Sequence, residues 1–262
     1  MQFINGTYSC HHTSDVPSSD GFHRHMHNGY EILYFMSGDA EYVIESSVYN
    51  LKPRDLLLIH PRSFHYLKPL TDAVYERFVI HFPVEKIPLS CLEFIENAKE
   101  IYRIPADSSI DRLFSSWKDA EEIFSKEELG EFLHPIVSHV ILHLRHFTEE
   151  TEAKPVRVNQ TLEKILRYID EHPTKQIKVS DLAAEFFVSA SWLTHIFRQD
   201  LGVSLGQYIE KKRILCAEAY ILAGKLPTDT AKIFGYDAYS TFYRQYKKIL
   251  GKTPKKVEKR LR

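Results

Sequence analysis

A chain of 262 residues exceeds the roughly 100–200 residues of a single core, and its 44% hydrophobic and 26% charged residues exclude a disordered or fibrous protein. The net charge of −1 conceals opposed halves, with 19 Lys and Arg against 11 Asp and Glu from Val158 onward and 15 against 24 before it, so nucleic acid is expected at the rear. Cys10, Cys91 and Cys216 stand singly, without disulfide or zinc spacing, and neither a leader-like start nor an apolar run near ~18 residues occurs, which predicts a cytoplasmic protein without a membrane segment. From about 20 to 83, Tyr-, Val-, Ile- and Phe-rich runs at 30–36, 40–44, 55–59, 63–67 and 75–82 are broken by turn residues, as around Gly38, Pro53 and Pro69. That spacing predicts the strands of a small sandwich or barrel. After Pro83 the period becomes helical, over 108–124 and 128–147. The second of these carries a stripe of Phe132, Ile136, Val140 and Leu144, suited either to the core or to a dimer seam. Residues 148–157, charged and containing Pro155, read as a linker between a front domain at 1–147 and a rear domain at 158–262. The rear predicts helices over 160–171, 179–185, 190–201, 205–222, 229–234 and 239–250, with Ser180 as a candidate cap for the second and Gly202, Gly224, Gly235 and Gly251 closing the last four. The fold class is therefore α+β in two domains, with helices trailing the strands in front and an all-α rear.

Within the rear, a short helix, a tight turn and a second helix occur twice, at about 179–201 and 228–250, around a long helix. Ala183 and Ala231 supply the small residue that lets the second helix pack close. Leu182-Ala183, Leu193, Phe197, Gly202, Arg213, Ala217, Leu222, Ala231, Gly235-Tyr236, Phe242, Arg244, Tyr246-Lys247, Gly251 and Thr253-Pro254 resemble the double helix-turn-helix DNA-binding domain of the AraC/XylS family over about 90 residues. Thr228 and Thr230 depart from that pattern where Ile is usual, and Ala238 stands where Asp is usual, with Asp237 beside it as a substitute cap. Helical geometry turns Leu193, Ile196, Phe197, Phe242, Tyr246 and Ile249 inward. It leaves Ser191, Thr194, His195 and Arg198 on the first reading helix, and Tyr239, Ser240, Tyr243, Arg244 and Lys247 on the second, as candidate contacts to double-stranded DNA. Trp192 is read as packing rather than reading.

Histidine is concentrated in front, with twelve of fourteen before Val158. His25-x-His27-x3-Glu31-x6-Gly38, followed by Pro61-Arg62-Ser63-Phe64-His65, resembles the two motifs of the cupin barrel, a sensor fold that the family commonly carries. Strand alternation would put His25, His27 and Glu31 on one face, closed by His65 from an opposing strand. Two readings of these four residues stay open. They hydrogen-bond an effector or pack as polar groups, with no cofactor, or they bind a divalent transition metal such as Fe, Mn, Zn or Ni. Arg54 and Ser63 stand where cupins favour Gly, and His23, His60 and His81 are further lining candidates. Hydrolase and kinase signatures are absent. The resemblance implies a transcriptional regulator, an activator rather than an enzyme, holding a small molecule such as a sugar in the barrel. It also implies work as a homodimer, paired through the helices behind the barrel, with RNA polymerase as partner. A metal-dependent cupin enzyme or metal sensor fused to a DNA-binding domain, and an architectural binder without effector, are the alternatives.

Overall fold

The computed structural model of the protein describes residues 2–5, 8–17, 24–147 and 155–255. His23 and the linker residues 148–154 lie outside them. The chain divides into two compact units, Met1–Val158 and Asn159–Arg262.

The first unit contains, in order, β1 (Gln2–Asn5), β2 (Tyr8–Asp15), β3 (Tyr30–Ser37), β4 (Ala40–Ile44), β5 (Ser47–Asn50), β6 (Asp55–Ile59), β7 (His65–Pro69) and β8 (Tyr75–Phe82). The helix α1 (Leu92–Glu96), β9 (Ile101–Arg103), α2 (Ser109–Ser115), α3 (Trp117–Ile123), α4 (Lys126–Arg145) and β10 (Arg157–Val158) follow. The strands form two antiparallel sheets, β1-β2-β8-β3-β6-β9 and β10-β5-β4-β7. The larger sheet is covered on both faces, which explains why β3 reads as one apolar run rather than an alternation. Its Leu33 and Phe35 meet Tyr42, Ile44 and Leu67 of the smaller sheet. Its Ile32 and Tyr34 face the other way, into a cluster with Phe78, Phe114, Trp117, Val137 and Val140.

Two expectations are corrected here. The strands do not close into a cupin-like barrel. The chain entering β3 makes a single two-bond bridge between His25 and His65 at the edge of the smaller sheet, and then crosses to the larger one. One bridge at a corner joins the sheets without a continuous ladder. The stripe of α4 is likewise no open seam: Ile136, Val140 and Leu144 are buried against the unit's own sheet, and of the four only Phe132, 43% exposed, looks outward.

In the second unit, α5 (Gln160–Glu171), α6 (Val179–Glu185) and α7 (Ala190–Ile196) are followed by a single π turn over Phe197–Leu201, then α8 (Leu205–Leu222), α9 (Pro227–Ile233) and α10 (Tyr239–Leu250). Gly202 stops the π turn and Gly251 stops α10, both in the left-handed conformation that glycine adopts without steric cost. Ser189 caps α7 by accepting from the Trp192 amide, and Ser204 with Gln207 forms a capping box on α8. Ser180 does not cap α6, whose N-cap is Lys178, and the N-cap of α10 is Ala238, with no side-chain cap hydrogen bond. Thr230 is fully buried, its hydroxyl donating to the Leu226 carbonyl at 2.9 Å, so the polar group at an apolar position is satisfied within its own helix. Among the described residues, no helix is long and apolar enough to cross a membrane.

Candidate effector cavity and nucleic-acid interface

The cavity forms where the crossing segment leaves the smaller sheet. His25 and His27 precede β3 rather than lying on it, so their convergence with Glu31 comes from the crossover and not from strand alternation. Gly29 allows that crossover, because a Cβ there would sit 3.0 Å from the Phe82 carbonyl oxygen. Glu31, buried at the start of β3, is the hub. Its Oε2 lies 3.1 Å from His27 Nε2, 3.2 Å from His65 Nε2 and 2.9 Å from His81 Nε2. The Tyr42 hydroxyl donates to its Oε1 at 3.2 Å. Between the sheets lies a space of about 260 Å³, bordered by Glu31, His25, His81, His11, Thr13 and Arg77, among others.

Electrostatics follow from this crowding. Burial alone would push the Glu31 carboxyl up, yet the adjacent His65 and the hydrogen bonds from His27, His65 and His81 hold it well below the carboxylate range. Burial opposes the charged form of His65, but Glu31 outweighs it and the ring's pKa is raised. At His27 burial wins over the same carboxylate, and the pKa falls. His11 is lowered by burial and then by His81 and Arg77, which places the guanidinium's field inside this space.

The donor set fits a transition metal. One donor atom from each of His25, His27, Glu31 and His81 lies within 4.8 Å of the others. His27 Nδ1 lies 2.9 Å from the Gly29 carbonyl oxygen and its Nε2 3.1 Å from Glu31 Oε2, so Nε2 reaches the cluster and turns a lone pair to an ion only by giving up its hydrogen bond to Glu31. His65, the fourth residue expected from the motif, sits behind Glu31, fully buried with Nδ1 2.8 Å from the Ser63 carbonyl oxygen. His81 takes the place facing the cavity. His60 lies elsewhere, its Nε2 3.3 Å from the Ala98 carbonyl oxygen. Sequence reasoning missed His11, Thr13, Tyr42 and Arg77. The signal was a two-residue period hidden in the polar run Tyr8–Asp15.

In the second unit, the turn between α6 and α7 and that between α9 and α10 each leave one helix outward. Ser191, Thr194, His195 and Arg198 are exposed, as are Tyr239, Ser240, Tyr243, Arg244 and Lys247, while Leu193, Ile196, Phe197, Phe242 and Tyr246 are buried. Ile249 is only half-buried. The Thr194 hydroxyl donates back to the Ala190 carbonyl at 2.9 Å, so toward a partner it is an acceptor. Trp192 is half-buried. The helix α8 serves both motifs. Its Tyr208 ring meets Phe197 at 5.4 Å, and its Ile214, Ala217 and Ile221 pack with Ala231, Phe234 and Phe242. Its buried Lys212 reaches Asp170 of α5 at 2.7 Å.

A two-sheet unit with a polar cavity, and a helical unit with paired outward helices on helix-turn-helix supports, define a ligand-responsive DNA-binding regulator. Residues 11–133 match the AraC-like ligand binding domain and residues 182–260 the Helix-turn-helix domain. The chain belongs to the AraC/XylS family of transcriptional regulators. It is similar to the HTH-type transcriptional regulator YfiF of Bacillus subtilis, 23% identical over 246 residues, which cover 88% of this chain and 76% of that protein. It is also similar to the HTH-type transcriptional regulator YkgA of Escherichia coli, 32% identical over 122 residues, covering 45% of this chain and 49% of that protein. Among solved structures, ToxT from Vibrio cholerae O395 aligns over 94% of both chains at 16% identity and a TM-score of 0.40.

Proposed function

We propose that the protein is a cytoplasmic, homodimeric activator that contacts RNA polymerase and changes its DNA affinity when a small molecule enters the cavity around Glu31, and that it carries out no catalysis. The observation supporting this most directly is the pairing of that cavity with nine outward candidate reading residues, Ser191, Thr194, His195, Arg198, Tyr239, Ser240, Tyr243, Arg244 and Lys247, in a second unit. Homodimerisation, in this reading, uses a face other than the buried Ile136, Val140 and Leu144 stripe. Transcription reconstituted with RNA polymerase from the protein's own upstream region tests it. Added protein should raise the transcript yield, and DNA affinity should fall steeply with salt as counterions are released. Sedimentation velocity reads the dimer. Repression of the transcript, or affinity indifferent to salt, contradicts the reading.

A second reading concerns the cluster itself, favoured by the four donor atoms of His25, His27, Glu31 and His81 within 4.8 Å. They would hold a divalent transition metal as a structural or ligand-orienting ion, with His65 fixing Glu31 from behind. Chelator-treated protein titrated with Co²⁺ should develop d–d absorption at one equivalent, lost in His27→Ala and kept in His60→Ala. Absorption unchanged in His27→Ala removes this reading without touching the first.

A further inference from the structure

The outward face of α10 mixes two chemistries. Ser240, Arg244 and Lys247 are polar or cationic, as a surface that meets a polyanion should be, whereas Tyr239 and Tyr243 stand among them 39% and 36% exposed. The first reading helix, α7, has no exposed Phe, Tyr or Trp; its Trp192 is half-buried. The two tyrosine rings are held by neighbours. Tyr239 opens α10 with its ring centroid 6.0 Å from that of the buried Phe242, and Tyr243 follows one turn later, its ring 6.3 Å from that of Tyr239. Phe242 is itself set between Tyr236 and Tyr246, at 5.2 and 5.5 Å. A ring fixed in this way loses little freedom when it meets a partner, and the front of a recognition helix is where base edges are reached.

We propose that Tyr239 and Tyr243 read thymine, each ring packing on the C5-methyl group of a thymine in the major groove; this rests on taking α10 as a DNA-reading helix. Along the floor of that groove the base pairs present hydrogen-bond donors and acceptors and one apolar group, the thymine methyl. A phenol ring cannot make the two parallel hydrogen bonds with which arginine, asparagine or glutamine recognises a purine, so among base edges its apolar face is matched by that methyl. Residues four apart lie about 6 Å along a helix, under two ~3.4 Å base-pair steps, so the two methyls belong to neighbouring base pairs. The cations of the same face argue against an apolar protein surface as the partner of these rings. Arg244 directly follows Tyr243 and Lys247 stands one turn beyond it, and such a surface would desolvate both without a counter-charge.

The test uses duplexes that the full chain enriches from a random-sequence pool, prepared again with deoxyuridine in place of thymidine at one position at a time. Uracil keeps every hydrogen-bonding group of thymine and lacks only the methyl. Two neighbouring positions should each lose about fourfold in affinity, the worth of one methyl-sized group removed from water. Tyr239→Ala and Tyr243→Ala should each abolish the uracil penalty at one of those positions and leave any penalty elsewhere in the site as it was. Tyr239→Phe and Tyr243→Phe, which keep the ring and remove the hydroxyl, should retain both the affinity and the penalty. A uracil series without two neighbouring sensitive positions overturns the proposal, as does a penalty that survives in both alanine variants. Weak binding by the phenylalanine variants with uracil tolerated would make the hydroxyls phosphate contacts, and the proposal would again fall. Both positions are exposed and alanine is the best helix former, so α10 should persist, as circular dichroism checks. If an alanine variant does not fold, its folded phenylalanine counterpart decides: a uracil penalty kept there upholds the proposal and one lost there overturns it. Enrichment of no duplex at all removes the DNA-reading role of α10 and this proposal with it, whereas enriched duplexes that tolerate uracil throughout overturn this proposal alone.

Discussion

At the scale of the residue, charge and reach separate the two kinds of work a DNA-reading side chain does. Arg244 and Lys247 are both exposed on α10, one turn apart. An arginine near the front of a helix in the major groove can take a guanine edge with two hydrogen bonds, whereas an ammonium a turn later acts on phosphate as a point charge. Arg244→Ala should therefore cost about 1–3 kcal/mol and relax preference at one base position, and Lys247→Ala should weaken all sequences alike and lower the salt slope by about one. Fluorescence anisotropy over a set of single-base operator variants distinguishes them. Uniform weakening by both changes would make Arg244 a phosphate contact. In the other unit Glu31 lies beside His27 and His65, the neighbours that its motif spacing gave it. The place of Arg77 was not legible, because a lone arginine in a strand looks the same whether it faces solvent or a cavity.

At the scale of the element, the helices were the most legible part. Their ends carry local signals, and α5, α8 and α10 begin and end where periodicity and the following Pro or Gly put them. The strands β2 and β5 were missed, since Tyr8–Asp15 is largely polar and Ser47–Asn50 is short, and their pairing is decided by partners distant in sequence. The helix α4 shows why periodicity alone does not tell core from seam: a stripe has the same spacing whichever surface covers it. With Val140 at 0% exposure in the cluster shared with Ile32, Phe78 and Phe114, Val140→Glu places an unpaired carboxylate in a dry interior. It should destabilise the first unit by about 3–5 kcal/mol and lower its melting transition by roughly ten degrees. Scanning calorimetry is the measurement. A variant that melts like the parent but sediments as a monomer would restore the seam to this stripe.

At the scale of the whole molecule, the question is how a ligand in one unit changes DNA binding by the other. A ligand shifts an equilibrium only by its differential affinity for the states in question, so the proposed function requires the cavity to differ between the DNA-competent state and the incompetent one. The crossover carrying His25 and His27 is the part of the first unit best suited to differ, because it is tied to the smaller sheet at the His25–His65 bridge and to the larger one through Glu31. The smaller sheet in turn pairs β5 with β10, Arg157–Val158, immediately before the second unit begins at Asn159. A change at the crossover therefore has a short covalent and hydrogen-bonded route to the start of the DNA-binding unit. Coupling of a typical ~1–3 kcal/mol would change DNA affinity about 5–150-fold, and DNA would tighten the ligand by the same factor. Inserting a Gly-Ser segment after Val158 should break that route while leaving each unit's own core intact. The ligand identified by thermal shift should then bind with its original affinity, DNA likewise, and the factor by which either tightens the other should fall toward one. Calorimetric titration of the ligand with and without DNA measures that factor directly. Coupling that survives the insertion at full strength, while His27→Ala abolishes ligand binding, would show that the signal does not pass through β10.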